Sequence, residues 1–146
     1  MGDHELRAEV QERLVRAIAD IVLFNHRVAN VLGLAASDAH FITLLQAYGP
    51  MTPGRLAVTT GLGSGTVSGV LDRLEQAGFV HRGRDPHDRR KVIVTVDDAA
   101  IGQQVAPLYA EQGARVQALL TSRDTDQLRI ISAFLRDLVD QPPATG

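Results

Sequence analysis

Asp85-Pro86-His87-Asp88-Arg89-Arg90-Lys91 is a turn crowded with cations. It separates two runs that read as β-strand, Gly78-Phe79-Val80-His81-Arg82 before it and Val92-Ile93-Val94-Thr95-Val96 after it. Asp85-Pro86 has an ordinary place in turn geometry. A protruding basic hairpin in an otherwise acidic chain points to a polyanion. The charge is segregated: residues 1–77 carry −2, residues 78–96 carry +3 and residues 97–146 carry −3. The net charge of −2 over 146 residues conceals that local excess.

Immediately upstream, the pattern is helical. Thr52 suits an N-cap with Pro53 at the first helical position, opening a short helix with Leu56, Ala57 and Val58 that ends near Gly61. After Gly61-Leu62-Gly63, Ser64 is placed to cap a helix that runs to about Ala77, with Val67, Val70, Leu71 and Leu74 inward. Gly78 is the expected left-handed residue beyond its end. Two short helices joined by a tight glycine-containing turn make a helix-turn-helix over residues 52–77. Followed directly by the basic hairpin, they make a winged helix-turn-helix.

Further out lie longer helices. Leu6, Val10, Leu14, Ala17, Ile18, Ile21, Val22 and Val28 recur at helical spacing and predict one helix over 5–32, stopped by Gly33. Ser37 suits the N-cap of a second helix over about 38–48, with Phe41, Leu44, Leu45 and Tyr48 inward, broken by Gly49-Pro50. Beyond the hairpin, 98–120 and 124–139 read as helices. The second carries Leu128, Ile131, Leu135 and Leu138 at near-coiled-coil steps. Residues 141–146, with Pro142-Pro143, are expected to be a flexible tail. The fold class is therefore mainly α with a small β-hairpin wing. A winged helix-turn-helix lobe at 37–97 stands between helical regions at 5–32 and 98–140.

The chemistry follows from this order. The second helix of such a pair can lie in the major groove of DNA and read bases with its N-terminal residues, here Ser64, Gly65, Thr66, Val67 and Ser68. A helix N-terminus also favours a phosphate. The hairpin can reach sideways and place an arginine in the narrow minor groove.

In Leu62-Gly63-Ser64-Gly65-Thr66-Val67-Ser68, Leu71-Asp72-Arg73-Leu74-Glu75-Gln76-Ala77-Gly78-Phe79-Val80 and Asp85-Pro86-His87-Asp88-Arg89-Arg90, the chain resembles the MarR (multiple antibiotic resistance regulator) family. The resemblance is strongest over 38–97. It implies an obligate homodimer whose terminal helices interlock and whose two wings meet a pseudopalindromic operator on double-stranded DNA. It implies that Arg90 is the minor-groove arginine, with Asp88 orienting it and Arg89 and Lys91 near phosphates. Arg84 joins this basic set, and Arg73 either pairs with an acid or contacts the DNA backbone. It also implies a small aromatic or phenolic effector between the helical region and the lobe, with Phe24, His26, His40, Phe41 and Leu44 as the candidate pocket. The expected function is a transcriptional regulator of the repressor kind, relieved by that effector. A winged-helix protein-interaction module and a metal-responsive regulator stand as alternatives.

One departure from the family pattern is Gly69, where many members carry a larger side chain. Gly65 and Gly69 each cost about 1 kcal/mol relative to Ala inside a helix. Either the bare helix lets its backbone approach the bases closely, or recognition leans on DNA shape and the wing.

Other functions find little support. The chain has no cysteine, which removes disulfides, thiolate zinc sites and thiol redox chemistry. Gly61, Gly63 and Gly65 lack the dinucleotide-loop spacing, because Thr66 and Ser68 stand at the third-glycine offsets. His4, His26, His40, His81 and His87 form no helical i, i+4 pair with an acidic partner, so neither a metal site nor another cofactor is expected. No nucleophile or paired-carboxylate spacing suggests an enzyme. No apolar run approaches the roughly 18 residues of a membrane span, and no signal-peptide apolar region opens the chain. A cytoplasmic location is the expectation.

Overall fold

A computed structural model of the chain describes residues 1–140. The tail expected at 141–146 lies outside them. The described chain divides into two compact units, Met1–Pro107 and the residues from Leu108 on. The division falls at Pro107, whereas the sequence reading separates the lobe from its helical extension at 97.

Helix α1 spans Asp3–Leu32 and is supported along its outer face by Glu9–Arg13 and Glu12–Arg16 pairs, each with the acid toward the N-terminus. Gly33 takes the left-handed conformation (φ 71°), and the N–H of Leu34 returns to the carbonyl of Ala29. Helix α2 follows at Ala36–Tyr48. Its N-cap is Ala35, not Ser37. The left-handed turn at Gly33 has already redirected the chain, so helical geometry begins before the serine is reached. Ser37 Oγ lies instead 3.5 Å from Asp38 Oδ1. Phe41 and Leu45 point inward as the spacing predicts, and Ile42 joins them, whereas Tyr48 is 65% exposed at the helix end.

Helix α3, Pro53–Thr60, starts as its sequence dictates, with Thr52 Oγ1 accepting the N–H of Arg55 at 3.1 Å. It buries Leu56 and leaves Val58 in solvent. Gly61 is left-handed (φ 71°) and turns the chain into helix α4, Ser64–Gln76. Gly63 occupies the N-cap and no side chain caps this end, so Ser64 is the first helical residue and not the cap. At the far end Gly78 (φ 82°) closes the helix, with the N–H of Phe79 returning to Leu74.

Strands β1 (Val80–Arg84) and β2 (Val92–Val96) pair antiparallel from Val80↔Val96 to Arg84↔Val92. The first strand starts and ends two residues later than Gly78–Arg82, because Gly78 and Phe79 are consumed in closing α4. An isolated bridge joins Met51 to Val94. The segment between α2 and α3 is thereby tied to the hairpin. The lobe closes over Phe41, Ile42, Leu45, Met51, Leu56, Val67, Val70, Leu71, Leu74, Phe79, Val80 and Val94, all nearly excluded from solvent. Each Leu or Phe so buried contributes about 1.5–3 kcal/mol.

Downstream, the expected single helix over 98–120 is helical throughout but not uniform. A short α turn, α5 (Asp98–Ala100), passes into a π-helical stretch, Ile101–Val105, and then into α6, Ala106–Thr121. Pro107 supplies the reason. It has no N–H for the carbonyl four residues back, and its ring crowds that carbonyl, which the wider π turn relieves. The N–H of Ala106 accordingly reaches back to Ile101. Helix α7 spans Thr125–Val139, entered through a capping box between Asp124 and Gln127.

The terminal helices keep much of their apolar surface exposed. In α1 the expected stripe is buried at Val28, but Val10, Ile18, Ile21 and Val22 are about half exposed. The same holds for Val116 and Leu119 in α6 and for Phe134, Leu135 and Leu138 in α7.

Candidate nucleic-acid interface

Helix α4 presents two faces. Val67, Val70, Leu71 and Leu74 point into the lobe, each at most 1% exposed. Ser64, Gly65, Thr66 and Ser68 are exposed. The structure thus divides the expected reading residues. Four are available to a ligand, whereas the Val67 side chain is core and its assignment as a base contact is withdrawn. The first helical bond at this end runs from the N–H of Val67 to the carbonyl of Gly63. Upstream of it, the amides of Ser64, Gly65 and Thr66 have no intrahelical acceptor and give the helix N-terminus its affinity for an anion.

Arg73 takes the first of the roles open to it. Its Nε donates to Asp38 Oδ2 at 2.8 Å and its Nη2 to Asp38 Oδ1 at 3.0 Å, a two-pronged bond from α4 to α2. Asp38 is buried, 2% exposed, and this guanidinium is what makes its burial tolerable. The Arg73 guanidinium is held above its ordinary pKa, first of all by the hydrogen bonding it donates to Asp38.

The wing tip is shaped by its own carboxylates. Asp85 Oδ1 accepts the N–H of His87 at 2.8 Å, and Asp88 Oδ1 accepts the N–H of Arg90 at 3.1 Å. These are Asx turns. Asp88 therefore touches Arg90 through the backbone; its carboxylate shapes the turn and does not grip the guanidinium. Arg84 Nη1 donates to the carbonyl of Arg89 at 3.2 Å and braces the tip from the strand. Arg89, Arg90 and Lys91 are exposed, and among the described residues no carboxylate pairs with them.

Two cations outside the expected set belong beside these. Arg55 is exposed in the first turn of α3, also without a carboxylate partner among the described residues. The first helix of a helix-turn-helix crosses the DNA backbone, which is the signal that marks Arg55 in sequence. Arg82, on β1, is spent internally on α4: its Nη2 meets Asp72 Oδ1 at 2.5 Å and its Nε lies 3.4 Å from Glu75 Oε2. At the wing base, His81 Nε2 and Asp97 Oδ2 are 2.5 Å apart. The other Asp97 oxygen accepts the N–H of Ala100 at 2.8 Å and so caps α5. The Asp97 carboxyl is held below its ordinary pKa, first by the Ala100 amide and then by His81.

The candidate effector residues are not in one environment. Phe41 is packed in the core, Phe24 and Leu44 are half-buried, and His26 and His40 are exposed. Arg27 lies over the Phe24 ring, 5.9 Å from its centre. Among the described residues no group of three or more histidine and acidic side chains is placed to hold a metal ion.

A tight helical pair, a recognition helix with a bare N-terminus and a two-stranded basic hairpin define a winged helix-turn-helix protein. The MarR family model matches residues 34–92. An HTH-type transcriptional regulator, YcgE of Bacillus subtilis, is 32% identical over 144 residues, covering 96% of this chain and 93% of its own. The HTH-type transcriptional repressor NicR of Pseudomonas putida is 36% identical over 114 residues, covering 75% and 70%. In fold, the chain is similar to MepR of S. aureus. A MepR mutant from a multidrug-resistant clinical isolate superposes with a TM-score of 0.70 at 18% identity, covering 88% and 94%. A second MepR mutant, bound to an oligodeoxyribonucleotide, does so at 0.56 and 19%, covering 88% and 95%. The chain belongs to the MarR family of DNA-binding transcriptional regulators.

Proposed function

We propose that this regulator acts as a homodimeric repressor on a pseudopalindromic operator. Each α4 enters a major groove, and each wing places Arg90 in the adjacent minor groove. Arg89, Lys91 and Arg55 meet phosphates. The observation that carries this is the wing tip, whose exposed cations have no acidic partner among the described residues, together with an α4 N-terminus that no side chain caps. Dimerisation is supported by apolar surface on α1, α6 and α7 that a monomer would leave in water. Two-fold symmetry sets half-site centres about 10–10.5 base pairs apart. NicR, named a repressor, supports the sign of regulation. A gel shift on DNA upstream of the chain's own reading frame, repeated across salt, tests the reading. Specific binding with affinity falling steeply as salt rises is the expected result. Binding indifferent to sequence would refute it.

The proposal includes relief by a small aromatic ligand that meets Phe24, Leu44, His26 and His40, with Phe41 as packing behind them. A benzoate and phenol series that leaves operator affinity unchanged would remove this part and keep the rest. Among the described residues no single helix is long and apolar enough to cross a membrane, in keeping with a cytoplasmic site of action.

A further inference from the structure

In β1, Val80 and Arg82 lie two residues apart and share a face of the strand. Val80 is wholly buried, and Arg82 continues that face onto α4. There the guanidinium meets three groups of the recognition helix. Nη2 donates to the carbonyl of Ser68 at 3.3 Å and to Asp72 Oδ1 at 2.5 Å, and Nε faces Glu75 Oε2 at 3.4 Å. Residues 68, 72 and 75 are spaced to form one ridge of a helix, so a single planar fork spans that ridge. The Arg82 side chain is 30% exposed, between acids that are 62% and 45% exposed. Its charge is thus consumed inside the lobe, unlike those of Arg89, Arg90 and Lys91 at the tip.

We infer that Arg82 is a positioning residue for DNA recognition, fixing the wing at the angle to α4 at which major and minor grooves are engaged together. The inference rests on the DNA-binding reading above. Other polar ties seen at the wing base among the described residues are the backbone bonds of Met51 with Val94 and of Asp97 with Phe79 and the His81–Asp97 side-chain pair, none of which reaches α4. Arg82 also neutralises Asp72 and Glu75, whose bare carboxylates would face the phosphates. These two consequences are separable.

The test uses the full chain and a duplex that the wild-type protein selects from a random pool. Dimethyl sulfate methylates guanine N7 in the major groove and adenine N3 in the minor groove, so one footprint reports both elements. At saturating protein, Arg82→Lys and Arg82→Met should keep the guanine protection and lose the adenine protection, with affinity falling roughly three- to tenfold. The double variant Asp72→Asn with Glu75→Gln decides the mechanism, and decides alone if the Arg82 variants fail to fold. It gains net positive charge, so a role in charge alone predicts tighter binding and an intact footprint. Positioning predicts lost adenine protection despite the added charge. Retained adenine protection in the double variant overturns the inference. A pool from which wild type enriches nothing overturns the DNA-binding reading itself.

Discussion

Helices α4 and α7 are close in length, 13 and 15 residues, and both carry apolar side chains at steps of three and four. In α4 those side chains are at most 1% exposed, whereas in α7 Phe134, Leu135 and Leu138 remain 47–50% exposed. Amphipathicity does not separate them. What differs is where the complementary surface comes from. The lobe supplies α4 with a closed core from α2, α3 and the hairpin, while α7, like much of α1, leaves its stripe exposed. The recognition lobe closes its core within one chain; the terminal helices would close theirs only in the proposed dimer.

That contrast can be broken at several points. The largest effect is expected from deleting residues 1–30, which should abolish the dimer in light scattering. A truncated chain that still runs as a dimer would remove α1 from the partner-seeking class. Next, Leu74→Ala should cost about 2–5 kcal/mol in a denaturant titration, at any protein concentration. Leu135→Ala should instead lower the melting temperature chiefly in dilute protein, because its partner is gained by association. Equal concentration dependence for both would erase the distinction.

Within the lobe, Arg90→Ala should weaken operator binding by about 1–3 kcal/mol at fixed salt, with the melting temperature unchanged. An unaltered dissociation constant would sink the minor-groove role. Gly69→Ala sharpens the question of the bare helix. The added methyl would meet Arg73 Nη1 at 3.5 Å, an ordinary contact, so stability should rise by about 1 kcal/mol or less. Weaker operator binding despite that gain would show that α4 uses its missing side chain to approach the bases. Unchanged binding would shift recognition to the wing. The smallest effect concerns Asp97. Its carboxyl is held below the ordinary value in the folded chain, so the stability it contributes is present above the unfolded value, about pH 3.9. That stability is lost as pH falls through the lower folded value. Asp97→Ala should therefore flatten the acid limb of the stability curve, and an identical limb would reassign the cap.

The sequence carried these regions unequally. Val67, Val70, Leu71 and Leu74 announce their face by spacing, and Thr52-Pro53 and Gly78 mark helix ends by local chemistry. All of these are short-range signals. The misplaced caps show the limit: Ser37 and Ser64 have capping side chains, but the left-handed glycines at 33 and 61 fix where the chain becomes helical. Tyr48 has helical spacing yet falls at the end of α2, past the surface that would cover it. The pairs Asp38–Arg73 and Asp72–Arg82 join residues 35 and 10 apart, and nothing local couples them. The interruption near Pro107 was legible, since proline inside a helix demands a local change, but the surrounding apolar rhythm masked it.

The Met51–Val94 bridge has a thermodynamic consequence. A lone two-stranded hairpin is marginally stable in water. Here its inner strand is pinned by a pair of backbone bonds of 3.2 and 2.8 Å, at a valine that is 0% exposed. The hairpin therefore meets its target with its base already ordered. Chain entropy remains to be surrendered mainly at Asp85–Lys91, where the Asx turns have removed part of it in advance. Amide exchange should record this as a gradient, slow at Val94 and quickening toward Arg89.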